Sequence, residues 1–293
     1  MPRPFRFCVN MTTPDVGPAW RERCRRAEEL GYDVIQVPDH LGMVAPFPAL
    51  MAAAEVTERV RLGTFVLNAA FWNPALLARE IATVDALTGG RLEVGIGTGY
   101  VAEEHERAGL EFLPPRERVD LLVRTVAELD RLLGDEAHLP RPVQRPRPPL
   151  LIGGNGDRVL RLAAEHADIT AFAGGRSTGD GGIRMLTADE LARRVAAYRG
   201  FAAGRAVPAE LNLLLQHVRV TKDRAAAGKE VVAMAPYLTE EQALDLPVLA
   251  FGTVEEIADQ LRARRERFGI SSLTVLDPFL EEFGPVIEAL RGE

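Results

Sequence analysis

The chain has 293 residues, 47% of them hydrophobic and 26% charged, with a formal net charge of −7. That length allows one large domain or two average ones, with a core that needs no disulfide or metal staple, and the negative balance argues against broad nucleic-acid binding. The two cysteines, Cys8 and Cys24, form no CxxC, and no stretch reaches the ~18 apolar residues of a membrane helix, so the expectation is an unexported cytoplasmic protein without a membrane partner.

In chain order, Phe5 to Asn10 is the first strand candidate. Trp20, Cys24, Ala27 and Leu30 then make a helical stripe closed by Gly31. Val34 to Val37 is the second strand, residues 46–59 a helix, and Arg61 to Leu67 the third strand. Pro74 opens a helix with Leu77, Ile81, Val84 and Leu87 on one face and Gly89-Gly90 as its stop. Arg91 to Ile96 is the fourth strand, followed by a loop and a long helix near 115–133. The Pro/Arg-rich stretch Leu139 to Pro149 reads as a loop between two halves of the fold. Leu150 to Ile152 is the fifth strand, 157–166 a helix, Ile169 to Phe172 the sixth strand, and 187–200 a helix. Leu211 to Val220 is the seventh strand, Thr253 with Glu256 a capping box, and Ser272 to Leu276 the last strand. Eight short, almost wholly apolar strands alternating with helices predict an α/β fold, a single (β/α)8 TIM barrel domain over 1–293. A doubly wound open sheet is the alternative.

In a barrel of this kind the residues just past each strand's C-terminal end carry function. The second strand ends in Asp39-His40, where histidine can move protons near neutral pH; an acidic helix start with a chance neighbour is the plain alternative. The third ends in Phe65-Val66-Leu67-Asn68, which by itself reads as simple strand termination. The fourth ends in Gly95-Ile96-Gly97-Thr98-Gly99-Tyr100, whose alternate glycines suit close approach of a flat ligand. The fifth runs through Gly153-Gly154-Asn155-Gly156 into a helix, a turn that offers free N–H groups to a phosphate or is merely tight. No GxSxG occurs, and no His, Cys or Glu spacing suits a metal.

The ordered set Arg61 to Asn68, Asn73-Pro74-Ala75, Ile81 to Asp85, Gly89 to Gly99, Pro149 to Gly156 and Gly252 to Ile257 resembles the luciferase-like monooxygenase superfamily over nearly the whole chain. Within it the chain is most similar to the branch that uses the deazaflavin coenzyme F420. The resemblance implies a TIM barrel, a homodimer, a small organic substrate and hydride transfer to or from F420. It maps the branch's Asp-His pair onto Asp39 and His40, and a bulge with a non-prolyl cis peptide onto Phe65-Val66, with Asn68 close by. Thr98 and Gly99 fall beside the ring system, and Gly153, Gly154, Asn155 and Gly156 at the phosphate. His40 is the implied proton donor or acceptor and Tyr100 the second candidate, while Asp39 orients His40 or contacts the coenzyme. The branch's sugar-phosphate dehydrogenases carry glutamate where this chain has Tyr100, which turns the expectation away from phosphosugars. The 134–149 segment is shorter than usual, and a sparse cover over the barrel mouth suits F420 better than FMN. An FMN-dependent monooxygenase is the alternative enzyme; a redox-silent barrel acting as a binding protein is the alternative of another class.

Overall fold

Short apolar runs bounded by turn residues become strands in the computed structural model, which describes residues 3–14, 16–177 and 183–293. In chain order they are β1 (Arg6–Asn10), β2 (Val34–Val37), β3 (Arg61–Thr64), β4 (Leu67–Asn68), β5 (Leu92–Gly97), β6 (Leu150–Gly153), β7 (Ile169–Phe172), β8 (Gly175–Ser177), β9 (Ile183–Met185), β10 (Glu210–Leu215), β11 (His217–Val220), β12 (Leu249–Gly252) and β13 (Ser272–Leu276). The main sheet runs β3-β2-β1-β13-β10-β7-β6-β5-β4, and β3 also pairs with β5, which closes the ring. Every pairing within it is parallel. With β4 continuing β3 across a break, the described strands make a closed eight-stranded barrel, and the open-sheet alternative is excluded.

Proline or a capping side chain opens most of the helices. They are α1 (Pro18–Glu29), α2 (Pro46–Ala54), α3 (Pro74–Leu87), α4 (Ala102–Arg107), α5 (Pro115–Gly134), α6 (Asp157–His166), α7 (Ala188–Phe201), α8 (Arg224–Met234), α9 (Glu240–Leu244), α10 (Val254–Phe268) and α11 (Leu280–Ala289). The Thr253/Glu256 capping box is present at α10, and Gly269 ends that helix in the left-handed conformation. Among the described residues no helix is long and apolar enough to cross a membrane.

Several boundaries differ from the pattern reading, each for a local reason. The helix expected over 46–59 stops at Ala54, because the Glu28 carboxylate accepts the N–H groups of Glu58, Arg59 and Val60 and draws the chain away. The third strand breaks after Thr64, where the Phe65–Val66 peptide is cis, as the resemblance implied. The run 211–220 splits at Gln216: β10 stays in the barrel, while β11 leaves it to pair with β12. The β8–β9 hairpin and the helices α8 and α9 were not anticipated.

Inside the barrel, the end that holds the strand N-termini carries charge. Arg6 pairs with Glu93 and with Glu210 (3.0 Å), and Arg61 pairs with Glu93 and donates to Gln144 Oε1 at 2.8 Å. Gln144 Nε2 donates in turn to Asp85 Oδ1 at 2.7 Å, and the N–H groups of Val143 and Gln144 donate to Asp85 Oδ2. The 134–149 segment is therefore tied beneath the barrel. The expectation that its shortness opens the mouth is corrected, since a helix-to-strand connection reaches the N-terminal face of the strands. Above the charged floor, Leu151, Ile169 and Ala171 form a small apolar cluster separate from the outer core, with Phe65 and Val66 half-buried against it.

Candidate active site

The C-terminal ends of β2, β4 and β5 bring their polar residues into one connected group. Asp39 and His40 follow β2 directly, but Asp39 does not orient His40. Its Oδ2 accepts from the Asn68 N–H at 3.1 Å and from Trp72 Nε1 at 2.8 Å. Burial pushes the Asp39 carboxyl above its ordinary range, against the pull of those two donors. The partner of His40 is instead Glu104, on the short helix α4: Nδ1 lies 2.8 Å from Oε1 and 3.1 Å from Oε2. An ionised carboxylate only accepts, so Nδ1 carries the proton and Nε2 is the free ring nitrogen. The Glu104 side chain is 13% exposed and that of His40 27%, so the pair is shielded but reachable. Tyr100 meets the His40 ring edge-on at 5.7 Å between centroids and leaves two-thirds of itself exposed.

His105, the next residue on α4, faces the other way. Its Nδ1 donates to the Val101 carbonyl at 2.9 Å, and Asn68 Nδ2 approaches its Nε2 at 3.4 Å. Asn68 Oδ1 accepts from the Ala70 N–H, so the amide of Asn68 is committed within the protein. Gly99 is required here: it has φ +65, and a Cβ would lie 2.4 Å from Asn68 Oδ1. The Gly99 carbonyl accepts from Arg118, whose guanidinium lies 4.3 Å over the Phe112 ring.

The glycines of β5 have a protein explanation. A Cβ on Gly95 would lie 2.1 Å from the Thr64 carbonyl oxygen, and one on Gly97 would lie 3.0 Å from Val66 Cγ2. They admit the bulge at the end of β3. Phe65 and Val66 then form a half-buried apolar ledge over the barrel interior, with Thr98 half-buried nearby. Beyond it, Gly153 and Gly154 lead to Gly156, the N-cap of α6, where no side chain caps the free N–H groups. Asn155 Nδ2 donates to the Ala173 and Gly175 carbonyls, and Arg194 pairs with the Asp157 carboxylate of the first turn of α6 at 2.7 Å. A second buried carboxylate, Asp277, accepts from Thr12 N (2.9 Å), Thr12 Oγ1 (2.7 Å) and Arg23 (2.6 Å), and fastens the loop that follows β1.

Pattern reading missed Glu104, His105, Trp72 and Arg118. A six-residue helix shows no usable periodicity, so the segment after Tyr100 read as plain loop. The Glu-His pair just past a strand tip was the available signal.

The luciferase-like monooxygenase family model matches residues 7–245. An F420-dependent glucose-6-phosphate dehydrogenase of Intrasporangium calvum is 31% identical over 268 residues, covering 82% of this chain and 78% of that protein. The oxygenase component of a flavin-dependent trigonelline monooxygenase of Acinetobacter baylyi is 33% identical over 164 residues, 50% of this chain and 45% of that one. Among solved structures, an F420-dependent secondary alcohol dehydrogenase in complex with an F420-acetone adduct superposes with a TM-score of 0.76 at 18% identity, covering 99% of this chain and 100% of the other. A match across most of the sequence, on a barrel whose polar strand tips converge on one site, means that this chain belongs to the luciferase-like monooxygenase family.

Proposed function

We propose that this protein is a single-domain, F420-dependent oxidoreductase acting on a small organic alcohol or carbonyl compound. The observation that carries the reading is the shielded His40–Glu104 pair at 2.8 Å, on the same end of the barrel as the half-buried apolar bulge Phe65-Val66. The residues fit such a cofactor: Phe65 and Val66 offer an apolar seat for a flat ring, and the uncapped N–H groups at the N-terminus of α6 offer an anion site. When bound, F420 supplies or accepts the hydride; the protein supplies orientation and proton handling.

In this reading Gly153, Gly154, Asn155 and Gly156 hold the phosphate, and Thr98 and Gly99 flank the ring. Asp39 and Asn68 act by fixing the bulge and α4. His40 Nε2 gives a proton to the substrate oxygen on reduction, or takes it on oxidation, and Glu104 fixes the tautomer that leaves Nε2 facing the site. Tyr100 closes the open side of the imidazole. The family resemblance further supports a cytoplasmic homodimer with no nucleic-acid or membrane partner.

FMN-dependent oxygenation is the second reading, favoured by the similarity to the trigonelline oxygenase component. Assaying a panel of small alcohols and carbonyls anaerobically with F420, and aerobically with reduced FMN, separates the two. Anaerobic turnover with F420 is expected; turnover confined to reduced FMN with oxygen overturns the proposal.

A further inference from the structure

Side chains alternate along β1, with Phe7 against Phe283 of α11 on the outside and Cys8 within 3.7 Å of Ser272 Oγ on the inside. Asn10 shares the inner face with Cys8 and ends the strand at the barrel mouth. It is 5% exposed, and its register neighbours are Gln36 on β2 and Leu276 on β13. The polar side chains around and below it each have at least one partner. Gln36 Oε1 accepts from Thr274 Oγ1 at 3.1 Å, and Asn212 Nδ2 donates to Ser272 and Thr274 at 2.9 and 3.0 Å. Asn10 has none: among the described residues no group bonds its side chain, and its Oδ1 is buried without a partner. Asn212 Oδ1 is also unpartnered, but Asn212 lies in register with Ser272 and, through it, Arg6, near the charged floor.

A buried amide with no partner is disfavoured in the ligand-free protein, because its transfer from water is not compensated. Such a group at the mouth of a binding barrel is suited to a ligand that completes it. We propose that Asn10 is a cofactor-binding residue whose amide pairs with the pyrimidinedione edge of the ring. An amide presents a donor and an acceptor side by side, and that edge presents an N–H beside a carbonyl, so two hydrogen bonds form with one rotamer. F420 and FMN share this edge, and the assignment rests on the reading that the protein binds one of them. Its neighbour β2 carries Asp39 and His40, so the contact fixes the ring's in-plane rotation relative to the proton-handling pair.

The test compares the full chain with Asn10→Leu, of the same branched outline but apolar and larger, and with Asn10→Asp, of the same outline but without the donor. Each is titrated with F420 and with FMN, and each is melted without ligand. Asn10→Leu is expected to bind the cofactor about tenfold or more weakly, the loss of one to two hydrogen bonds in a dry site, while the ligand-free melting temperature holds or rises. Asn10→Asp is expected to bind more weakly as well, since a carboxylate repels the ring carbonyl. Wild-type affinity in Asn10→Leu overturns the assignment. So does weaker binding that comes with a lower melting temperature in Asn10→Leu, if Asn10→Asp binds like the wild type. If the wild-type protein binds neither cofactor, the functional reading itself fails, a result distinct from either of these.

Discussion

His40 and Glu104 come from different strand tips, separated by 64 positions in the chain, and meet at 2.8 Å. If His40 handles the substrate proton, His40→Ala lowers turnover by ~10²–10⁴-fold while cofactor affinity stays close to wild type. Glu104→Gln keeps the shape and can present its N–H₂ to Nδ1, which favours the wrong tautomer, so turnover falls by roughly tenfold or more. Combined with His40→Ala, the Glu104 change adds little, because it acts through the imidazole. Steady-state kinetics of the two single variants and the double variant check this; full additivity contradicts it. The strand-tip rule made His40 and Asp39 legible in the sequence. It could not show that Asp39 turns toward Asn68 and Trp72, because that choice depends on where the chain goes after the bulge at Phe65-Val66.

At the scale of elements, the β6–α6 turn separates a structural glycine from one free to be changed. Gly154 has φ +149, and a Cβ there would lie 2.9 Å from Val159 Cγ1, so any substitution strains the turn itself. Gly156 has an ordinary φ of −70 and nothing within 4 Å of an added Cβ. Gly156→Asp therefore places a good N-cap and a negative charge on the proposed phosphate position. The fold is expected to hold or gain a few tenths of a kcal/mol, while cofactor affinity falls about tenfold or more. Melting curves and cofactor titration check both signs; unchanged affinity shows the turn to be structural only. The helices with strong stripes or caps, such as α3, α5 and α10, were legible because period and punctuation agree. The breaks in β3 and at Gln216 were not, since an apolar run looks the same whether or not the strand changes partner within it.

Across the whole molecule the barrel is closed below by charge, and its polar strand tips gather at the other end. Glu93 binds both Arg6 and Arg61 and is only 7% exposed. Glu93→Gln leaves Arg6 with Glu210 as its one remaining carboxylate and Arg61 with none, held only by neutral acceptors. The cost is roughly 2 kcal/mol or more, below the 3–5 of a fully buried pair because Arg61 keeps part of its surface in water. That corresponds to a melting temperature lower by about 5 °C, read by calorimetry, and an unchanged value contradicts a structural role for the floor. The barrel itself was legible because eight apolar segments in alternation allow few other closures. The location of the 134–149 segment was not, since length alone does not say which face a connection covers. Cofactor choice separates the two enzymatic readings of this barrel most directly. Parallel titration of the purified protein with F420 and with FMN, followed by the change in each cofactor's absorbance or fluorescence, tests it: saturable binding of F420, tighter than that of FMN, is the expected result, and tight FMN binding with no measurable affinity for F420 would contradict it.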